Sequence, residues 1–323
     1  MNGKFTKLIS TGLVLAVALS LAGCSSKASA PAATAAQTTT STPAATAAPA
    51  KSNAVADAAN AYFANMPADI YKISEKDFIQ KVKNKEDMLI LDIRQNDVYK
   101  QGHIKGAVNV PWGTAISENL SKLPKNKPIM VYCYTGQTAG QTVALLNIAG
   151  FNAKSVNLGW TLGISKAEGV ADVTETTDNA LTDAKTVVNA EIKTAIDNYY
   201  KGLAAVKGTT YDTYKISEDE AKKLVDAKDT KVQFLSVRSA EDYAKGHIEG
   251  AINIPFAKGM GKSFSKLPKD KKTIVYCYTG QTAGQTVAVL KLLGYDAVSL
   301  NAGMGTTATG TAGWMNKGYP VVK

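Results

Sequence analysis

A long internal repeat constrains the fold of this chain more than any other sequence feature. The segment YCYTGQTAGQTVA occurs at 132–144 and again, unchanged, at 276–288. The flanking residues repeat as well, and the offset between the copies stays at 144 positions from Arg94 to Asn157. Because 323 residues are enough for two domains of ordinary size, the repeat predicts two copies of one domain in tandem.

Each copy alternates strand-like runs with helical patterns. MLILDIR (88–94) and PIMVYC (128–133) are apolar runs of strand length. Residues 138–149 carry apolar side chains at helical spacing and end before Gly150, a residue type that often caps the C-terminus of a helix. Buried strands that alternate with helices predict an α/β fold, with a doubly wound parallel sheet flanked by helices in each domain.

The repeat also sets the expected domain limits. The two domains are predicted over residues 57–165 and 213–323, with a helical linker over 166–212. Within the linker, apolar residues recur at helical spacing from 178 to 201, which predicts an amphipathic helix leading into the second domain. Packing against the core is its favoured role, and binding of a partner is the alternative.

The first 24 residues have the features of a secretory signal. Lys4 and Lys7 precede an apolar run that ends in LAGC at 21–24. This ending resembles the bacterial lipobox, which implies a lipid on Cys24 and an extracytoplasmic protein anchored to a bacterial membrane, on its periplasmic or cell-surface side. A transmembrane anchor is the alternative, but the run is shorter than the ~18–20 residues that spanning requires.

Residues 25–56 are almost entirely Ala, Thr, Ser, Pro and Lys. This composition cannot build a core and predicts a disordered tether between the signal and the first domain.

The charge of the chain argues against some classes of function. The net charge is +10, but the chain has only two arginines and two histidines. Nucleic-acid-binding surfaces usually combine clustered arginine with aromatic residues, so no nucleic-acid partner is expected, and a lysine-rich surface that attracts anions is the better explanation. One cysteine and one histidine per domain cannot build a closed metal site, and no motif implies a cofactor.

The segment after each cysteine has the composition of an anion-binding turn. Each cysteine is expected at the C-terminal end of a strand, where α/β sheets bind ligands. Glycine lets the backbone amides turn inward, a helix N-terminus follows, and the resulting field favours a thiolate. A buried structural cysteine is the alternative. We predict that Cys133 and Cys277 are nucleophiles and that the substrate-binding residues are Tyr134, Thr135, Gly136, Gln137 and Thr138, with Tyr278, Thr279, Gly280, Gln281 and Thr282 in the second copy.

Several cysteine chemistries fit this pattern poorly. Acyl transfer needs a general base, and His103 and His247 lie in turns where a structural hydrogen bond is the favoured role. A phosphatase loop needs an arginine to bind phosphate, and neither loop contains one. Thiol redox proteins usually carry CxxC, and a disulfide between Cys133 and Cys277 would have to join equivalent points of two repeats. A lone thiolate can instead attack sulfur and hold a persulfide.

The combination of motifs resembles the rhodanese family. LDIRQNDVYKQGHIKGAVNVP is followed by a strand that ends in Cys and by a CxxGxT loop, and the resemblance covers about 70–163 and 213–323. It implies transfer of sulfane sulfur from a donor such as thiosulfate to a thiol or cyanide, through persulfides on Cys133 and Cys277. Many family members have a basic residue in the loop, which is absent here. A non-catalytic or slow module that binds or senses a sulfur species or a protein partner is therefore the alternative.

The two copies differ at one arginine-containing motif. The first copy has DIR, with Asp92 two residues before Arg94, whereas the second has SVR, with Ser236 two residues before Arg238. We expect the Asp–Arg pair to be structural and its loss to loosen the second core.

Overall fold

The computed structural model describes residues 53–323. The predicted signal at 1–24, Cys24 and most of the predicted tether lie outside the described residues. The tether prediction is wrong at its end, because a helix begins at Ala54 and places residues 54–56 in regular structure. Asn53 caps this helix by accepting a hydrogen bond from the backbone N–H of Ala56. In the described part of the chain, no helix has the length and apolar character needed to cross a membrane.

The first repeat contains a five-stranded parallel sheet in the order β1-β6-β5-β2-β4. A short antiparallel pair, β3 and β7, lies beside it. The strands are β1 (Lys72–Ile73), β2 (Leu89–Asp92), β3 (His103–Ile104), β4 (Ala107–Asn109), β5 (Ile129–Tyr132), β6 (Ala153–Val156) and β7 (Thr174–Glu175). The helices are α1 (Ala54–Ala64), α2 (Glu75–Lys83), α3 (Asn96–Gln101), α4 (Thr114–Glu118), α5 (Gln137–Ile148) and α6 (Gly159–Leu162).

The second repeat has the same topology, with a parallel sheet in the order β8-β12-β11-β9-β10. The predicted α/β fold with two tandem parallel-sheet domains is thus confirmed. The strands are β8 (Lys215–Ile216), β9 (Val232–Ser236), β10 (Ile252–Asn253), β11 (Lys272–Tyr276) and β12 (Ala297–Leu300). The remaining helices are α7 (Ala190–Lys201), α8 (Leu203–Val206), α9 (Glu218–Asp226), α10 (Ala240–Lys245) and α11 (Gln281–Leu292).

The two repeats share one hydrophobic core. One face of each sheet packs on its own helices, whereas the other faces contribute to a single cluster that contains residues of both repeats, including Val131, Val143, Val275 and Val287. Helices α5 and α11 cross within this cluster, and burial of apolar surface between them stabilises the pair as a unit. The two repeats therefore do not have separate hydrophobic cores on the faces where they meet.

Two glycines allow the close crossing of α5 and α11. A Cβ atom on Gly140 would lie 2.4 Å from the backbone oxygen of Gln281, and one on Gly284 would lie 2.4 Å from that of Gln137. Such distances are far inside van der Waals contact, so any side chain at these positions would force the helices apart.

The helices that precede each repeat pack against the opposite repeat. The Tyr62 hydroxyl of α1 donates to Gln285 Oε1 of α11 at 2.5 Å, and the Tyr199 hydroxyl of α7 donates to Gln141 Oε1 of α5 at 2.6 Å. Both hydrogen bonds are buried, where an unpaired polar group would be costly. Thus α1 and α7 clamp the two repeats together.

The predicted linker helix forms only over its C-terminal half. Residues 176–189 have no regular structure, and α7 begins at Ala190, so the predicted start at 178 is wrong. Thr186, Val187 and Val188 are β-branched and favour extended backbone, while Asn189 caps the helix that follows. The favoured role of the helical part is confirmed, because its apolar face, including Ile196 and Tyr200, lies in the shared core.

The Asp–Arg motif forms a buried ion pair in the first repeat. Asp92 and Arg94 are fully buried; Arg94 Nε lies 3.0 Å from both carboxylate oxygens, and its terminal nitrogen lies 2.6 Å from Oδ2. Burial alone lowers the pKa of Arg94, but hydrogen bonding and charge from Asp92 outweigh it and raise the pKa. In the second repeat, buried Arg238 donates to the carbonyl of Gly246, whereas its Nε has no hydrogen-bond partner.

This difference predicts that Ser236→Asp stabilises the protein. The new carboxylate would reproduce the first-repeat pair and neutralise a cation that is already desolvated, so we expect the free energy of unfolding to rise by about 1 kcal/mol. Urea denaturation of the full chain measures the change. Ser236→Asn is the matched control, since it has nearly the same shape without the charge. Equal stabilisation by Asn would contradict the electrostatic explanation.

Candidate active site

Cys133 lies between the C-terminal end of a strand of the first-repeat sheet and the N-terminus of the helix that follows. β5 ends at Tyr132 and α5 begins at Gln137, with Gly136 between them in the left-handed region at φ 88°. The Cys133 Sγ accepts hydrogen bonds from the backbone N–H of Gly136 at 3.1 Å and of Ala139 at 3.4 Å. Amides of the loop and of the first helical turn therefore point at the sulfur, an arrangement that stabilises negative charge there.

The second repeat reproduces the loop conformation and the shorter of these two amide contacts. Cys277 follows β11, Gly280 has φ 89°, and the backbone N–H of Gly280 donates to the Cys277 Sγ at 3.0 Å. Both cysteines are free thiols and each is only 2% exposed. Because the disulfide considered for this pair is absent, each sulfur is available for its own chemistry.

The segment after β6 or β12 is hydrogen-bonded to the cysteine loop of the same repeat. The Cys133 carbonyl accepts from the N–H of Trp160 at 2.7 Å, and the Cys277 carbonyl accepts from that of Met304 at 2.8 Å. These bonds anchor the carbonyl of each cysteine to the segment that follows β6 or β12. A Cβ on Gly159 would lie 2.5 Å from the Cys133 carbonyl oxygen, so the approach requires glycine, as it does at Gly303. The repeated glycine was the sequence signal for this support.

The predicted aromatic and hydroxyl residues of the loop lie around its rim. Tyr134 is 38% exposed, and its hydroxyl accepts a hydrogen bond from the N–H of Gln95 at 3.2 Å. Tyr278 is similarly placed, but its hydroxyl donates to Asp242 at 2.5 Å. The rims of the two sites therefore differ in charge although their loops are identical. The loop threonines are half-buried at 135, 138 and 279 and buried at Thr282.

The side chain of each loop glutamine leaves its own cysteine loop and packs against the other repeat. Gln137 Nε2 donates to the carbonyl of Leu300 at 3.1 Å, and Gln281 Nε2 donates to that of Val156 at 3.2 Å and to Ser155 Oγ at 2.8 Å. Each buried side chain thus crosses to the sheet of the other repeat. Both side chains hold the repeats together, because each loop packs against the sheet of the other repeat. The substrate contact expected for these two residues stays a prediction.

The histidines have the structural role that the sequence favoured. The His103 ring nitrogens lie 2.8 Å from the Tyr99 carbonyl oxygen and 3.0 Å from that of Thr177. His247 Nδ1 lies 3.0 Å from the Tyr243 carbonyl oxygen. Both nitrogens of His103 are therefore engaged with backbone, which argues against a histidine base in that repeat. Over residues 53–323, no group of His, Cys, Asp and Glu side chains is arranged to hold a metal ion.

Comparison with known proteins agrees with this geometry. Residues 74–164 and 217–305 both match the rhodanese-like domain family, and together they make up more than half of the chain. The chain belongs to the rhodanese family. Each match contains one complete cysteine loop, so both repeats of this rhodanese contribute a candidate site.

Sequence relatives of this rhodanese include sulfurtransferases. Thiosulfate sulfurtransferase PspE of Escherichia coli is 37% identical over 71 residues, which are 22% of this chain and 67% of that protein. A sulfurtransferase of Allochromatium vinosum is 31% identical over 106 residues, which are 33% of this chain and 91% of that protein. Other relatives are less completely matched: this rhodanese spans 48% of the length of one from Bacillus subtilis.

Solved structures include similar domains. A rhodanese-related protein from Thermoplasma volcanium is 27% identical, with a TM-score of 0.28, and the match covers 33% of this chain and 96% of that chain.

Proposed function

We propose that this rhodanese is a sulfurtransferase with two sites, in which Cys133 and Cys277 carry sulfane sulfur as persulfides. The observation that carries the proposal is a lone thiol at a helix N-terminus with backbone amides directed at its sulfur. Amides in this position stabilise the negative charge that the sulfur site carries during the transfer.

The reaction needs two displacements at sulfur. The thiolate attacks the outer sulfur of thiosulfate, a new S–S bond forms, and the original S–S bond breaks with its electron pair leaving on sulfite. Cyanide or a thiolate then attacks the outer sulfur of the persulfide, which releases thiocyanate or a new persulfide and regenerates the cysteine thiolate. No external oxidant or reductant is required, since sulfur moves between nucleophiles at constant total oxidation level.

Two features favour a slower binding or sensing module as the second candidate. Neither loop contains a basic residue, and each cysteine is only 2% exposed. In that case the cysteines would react reversibly with a sulfur species but turn over poorly.

We also propose that the protein is extracytoplasmic and that a lipid on Cys24 anchors it to a bacterial membrane. The support is the LAGC motif at the end of an apolar N-terminal run. The donor and acceptor would then be small sulfur compounds or thiols outside the cytoplasm.

A steady-state assay separates the two candidates. The full chain is incubated with thiosulfate and cyanide, and thiocyanate is measured against a protein-free control. Catalytic release, many thiocyanate molecules per protein, is the expected result. Release that stops at or below two molecules per chain would overturn the enzyme and favour the binding module. Replacing thiosulfate by other sulfane donors tests the donor.

A further inference from the structure

Neither cysteine loop contains a cation, and one lysine of the opposite repeat lies on the sheet face that meets each loop. The tetrapeptide YKIS occurs at 71–74, and again at 214–217, so that Lys72 and Lys215 are equivalent residues. They begin the edge strands β1 and β8. Both edge strands lie in the region where the repeats meet.

The sheet register shows which way Lys72 points. Lys72 pairs in register with Ser155 of the parallel neighbour β6, and paired residues on adjacent strands project from the same face. The Ser155 hydroxyl oxygen is held at 2.8 Å by Gln281, which follows Cys277 in the loop of the second repeat. The next residue, Ile73, is buried in the core on the opposite face. Lys72 therefore projects from the face that meets the Cys277 loop.

The second repeat has the reciprocal arrangement. Lys215 pairs in register with Ser299 of β12. Gln137, from the Cys133 loop, lies with its Nε2 atom 3.4 Å from the Ser299 hydroxyl and 3.1 Å from the Leu300 carbonyl oxygen. By the same argument, Lys215 projects from the face that meets the Cys133 loop.

The electrostatics of the two lysines agree with this crossed pairing. Burial lowers the pKa of Lys72, and negative charge on Cys277 and Glu75 opposes that effect. Burial also lowers the pKa of Lys215, and there the opposing charges are Cys133 and Asp212. In each case the interacting cysteine belongs to the other repeat.

The two ammonium groups are also free to bind a ligand. Among residues 53–323, Lys72 and Lys215 take part in no salt bridge, and their Nζ atoms donate no hydrogen bond to another residue. Their exposure is intermediate, so they are neither fully solvated nor sealed off. A partly desolvated cation that forms no salt bridge attracts an anion more strongly than a surface lysine does.

We infer that each sulfur site is composite: Lys72 binds the anionic group of the donor at Cys277, and Lys215 does so at Cys133. The class of donor, a small sulfur-containing anion, rests on the proposed function. The composite site explains why neither loop carries a basic residue, because the opposite repeat supplies the positive charge. It also gives the tight contact between the repeats a functional consequence.

A crossover experiment tests the pairing without requiring turnover. Full-length Cys133→Ser and Cys277→Ser proteins each leave one site cysteine, and Lys72→Gln is introduced into both. Alkylation of that cysteine by anionic iodoacetate and by neutral iodoacetamide is followed by peptide mass spectrometry. Loss of the cation should lower the iodoacetate-to-iodoacetamide rate ratio roughly fivefold at Cys277 and leave it unchanged at Cys133.

Two further variants complete the design. Lys215→Gln should show the opposite pattern, with the lower ratio at Cys133 only, and Lys72→Arg should retain the wild-type ratio at Cys277. An unchanged ratio at Cys277 in Lys72→Gln, or an equal fall at both cysteines, would overturn the composite site. Unfolding would remove the local field at both cysteines and shift both ratios toward that of a free thiol, whereas the crossed pattern shifts the ratio at one cysteine only.

The same proteins separate this inference from the proposed function. If the ratios follow the crossed pattern but thiosulfate yields no persulfide on the wild-type protein, the composite cation stands and the sulfurtransferase fails. If persulfide forms and the KM for thiosulfate is unaffected by Lys72→Gln at Cys277, the sulfurtransferase stands and the composite site fails.

Discussion

Replacing both Cys133 and Cys277 with serine is expected to reduce thiocyanate formation from thiosulfate and cyanide by at least about a thousandfold. A serine hydroxyl is far less nucleophilic than a thiolate and cannot form a persulfide. Its smaller oxygen would still be compatible with the amide groups that surround the sulfur. The loss should therefore occur without unfolding, which circular dichroism of the variant verifies.

The single variants test whether the two sites act separately. Their loops are identical in sequence, and equivalent amides face both sulfurs. We expect the rates of the two single variants to sum to the wild-type rate, with the larger rate in Cys277→Ser, because Asp242 adds negative charge to the rim of the Cys277 site. Substantial activity in the double variant would show that neither cysteine is the sulfur carrier.

Gly140→Ala is expected to lower the free energy of unfolding by about 3 kcal/mol. The added methyl group would lie 2.4 Å from the backbone oxygen of Gln281, and a backbone atom cannot rotate away as a flexible side chain can. Alanine gains at most about 1 kcal/mol over glycine in a helix interior, which is too little to offset the overlap. Separation of α5 and α11 would also break the hydrogen bonds that Gln137 and Gln281 make across the repeats.

Chemical denaturation of full-length variants measures this effect. Gly284→Ala should behave like Gly140→Ala, since its methyl group would meet the Gln137 backbone oxygen at the same distance. Gly261→Ala is the control: its Cβ would lie 3.6 Å from the nearest atom, in ordinary van der Waals contact, so a change within about 0.5 kcal/mol is expected. If Gly140→Ala were as stable as Gly261→Ala, the close crossing of the helices would be contradicted.

The elements that determine the position of the cysteines were predictable from the sequence. The apolar runs at 88–94 and 128–133 correspond to β2 and β5, and the helical pattern at 138–149 corresponds to α5. These elements are buried, and burial requires the apolar runs and the apolar helical pattern by which they were recognised. The edge strand β1 has only two residues, which is too short for any period to be detected.

Contacts between the repeats were not predictable in this way. Gln137 lies in a polar loop beside a cysteine, a position that indicates substrate binding as readily as packing. Its placement against Leu300 depends on how two copies of a domain meet, and no local pattern encodes that arrangement. The role of Lys72 was not predictable for the same reason, since its partner loop is about 200 residues away along the chain. The glycines and the YKIS segment occur in both copies of the repeat, but their roles in the contact between the repeats are visible only in the folded protein.

Intact-mass spectrometry of the full chain after thiosulfate treatment is the most direct test of the central claim. The mass of the wild-type protein is expected to rise by about 32 Da for each of the two site cysteines. Each single Cys→Ser variant should gain one such increment, and the double variant should gain none. Addition of cyanide should remove the added mass and release an equal amount of thiocyanate. If the wild-type protein gains no sulfur from thiosulfate or from any other sulfane donor, the persulfide mechanism is wrong.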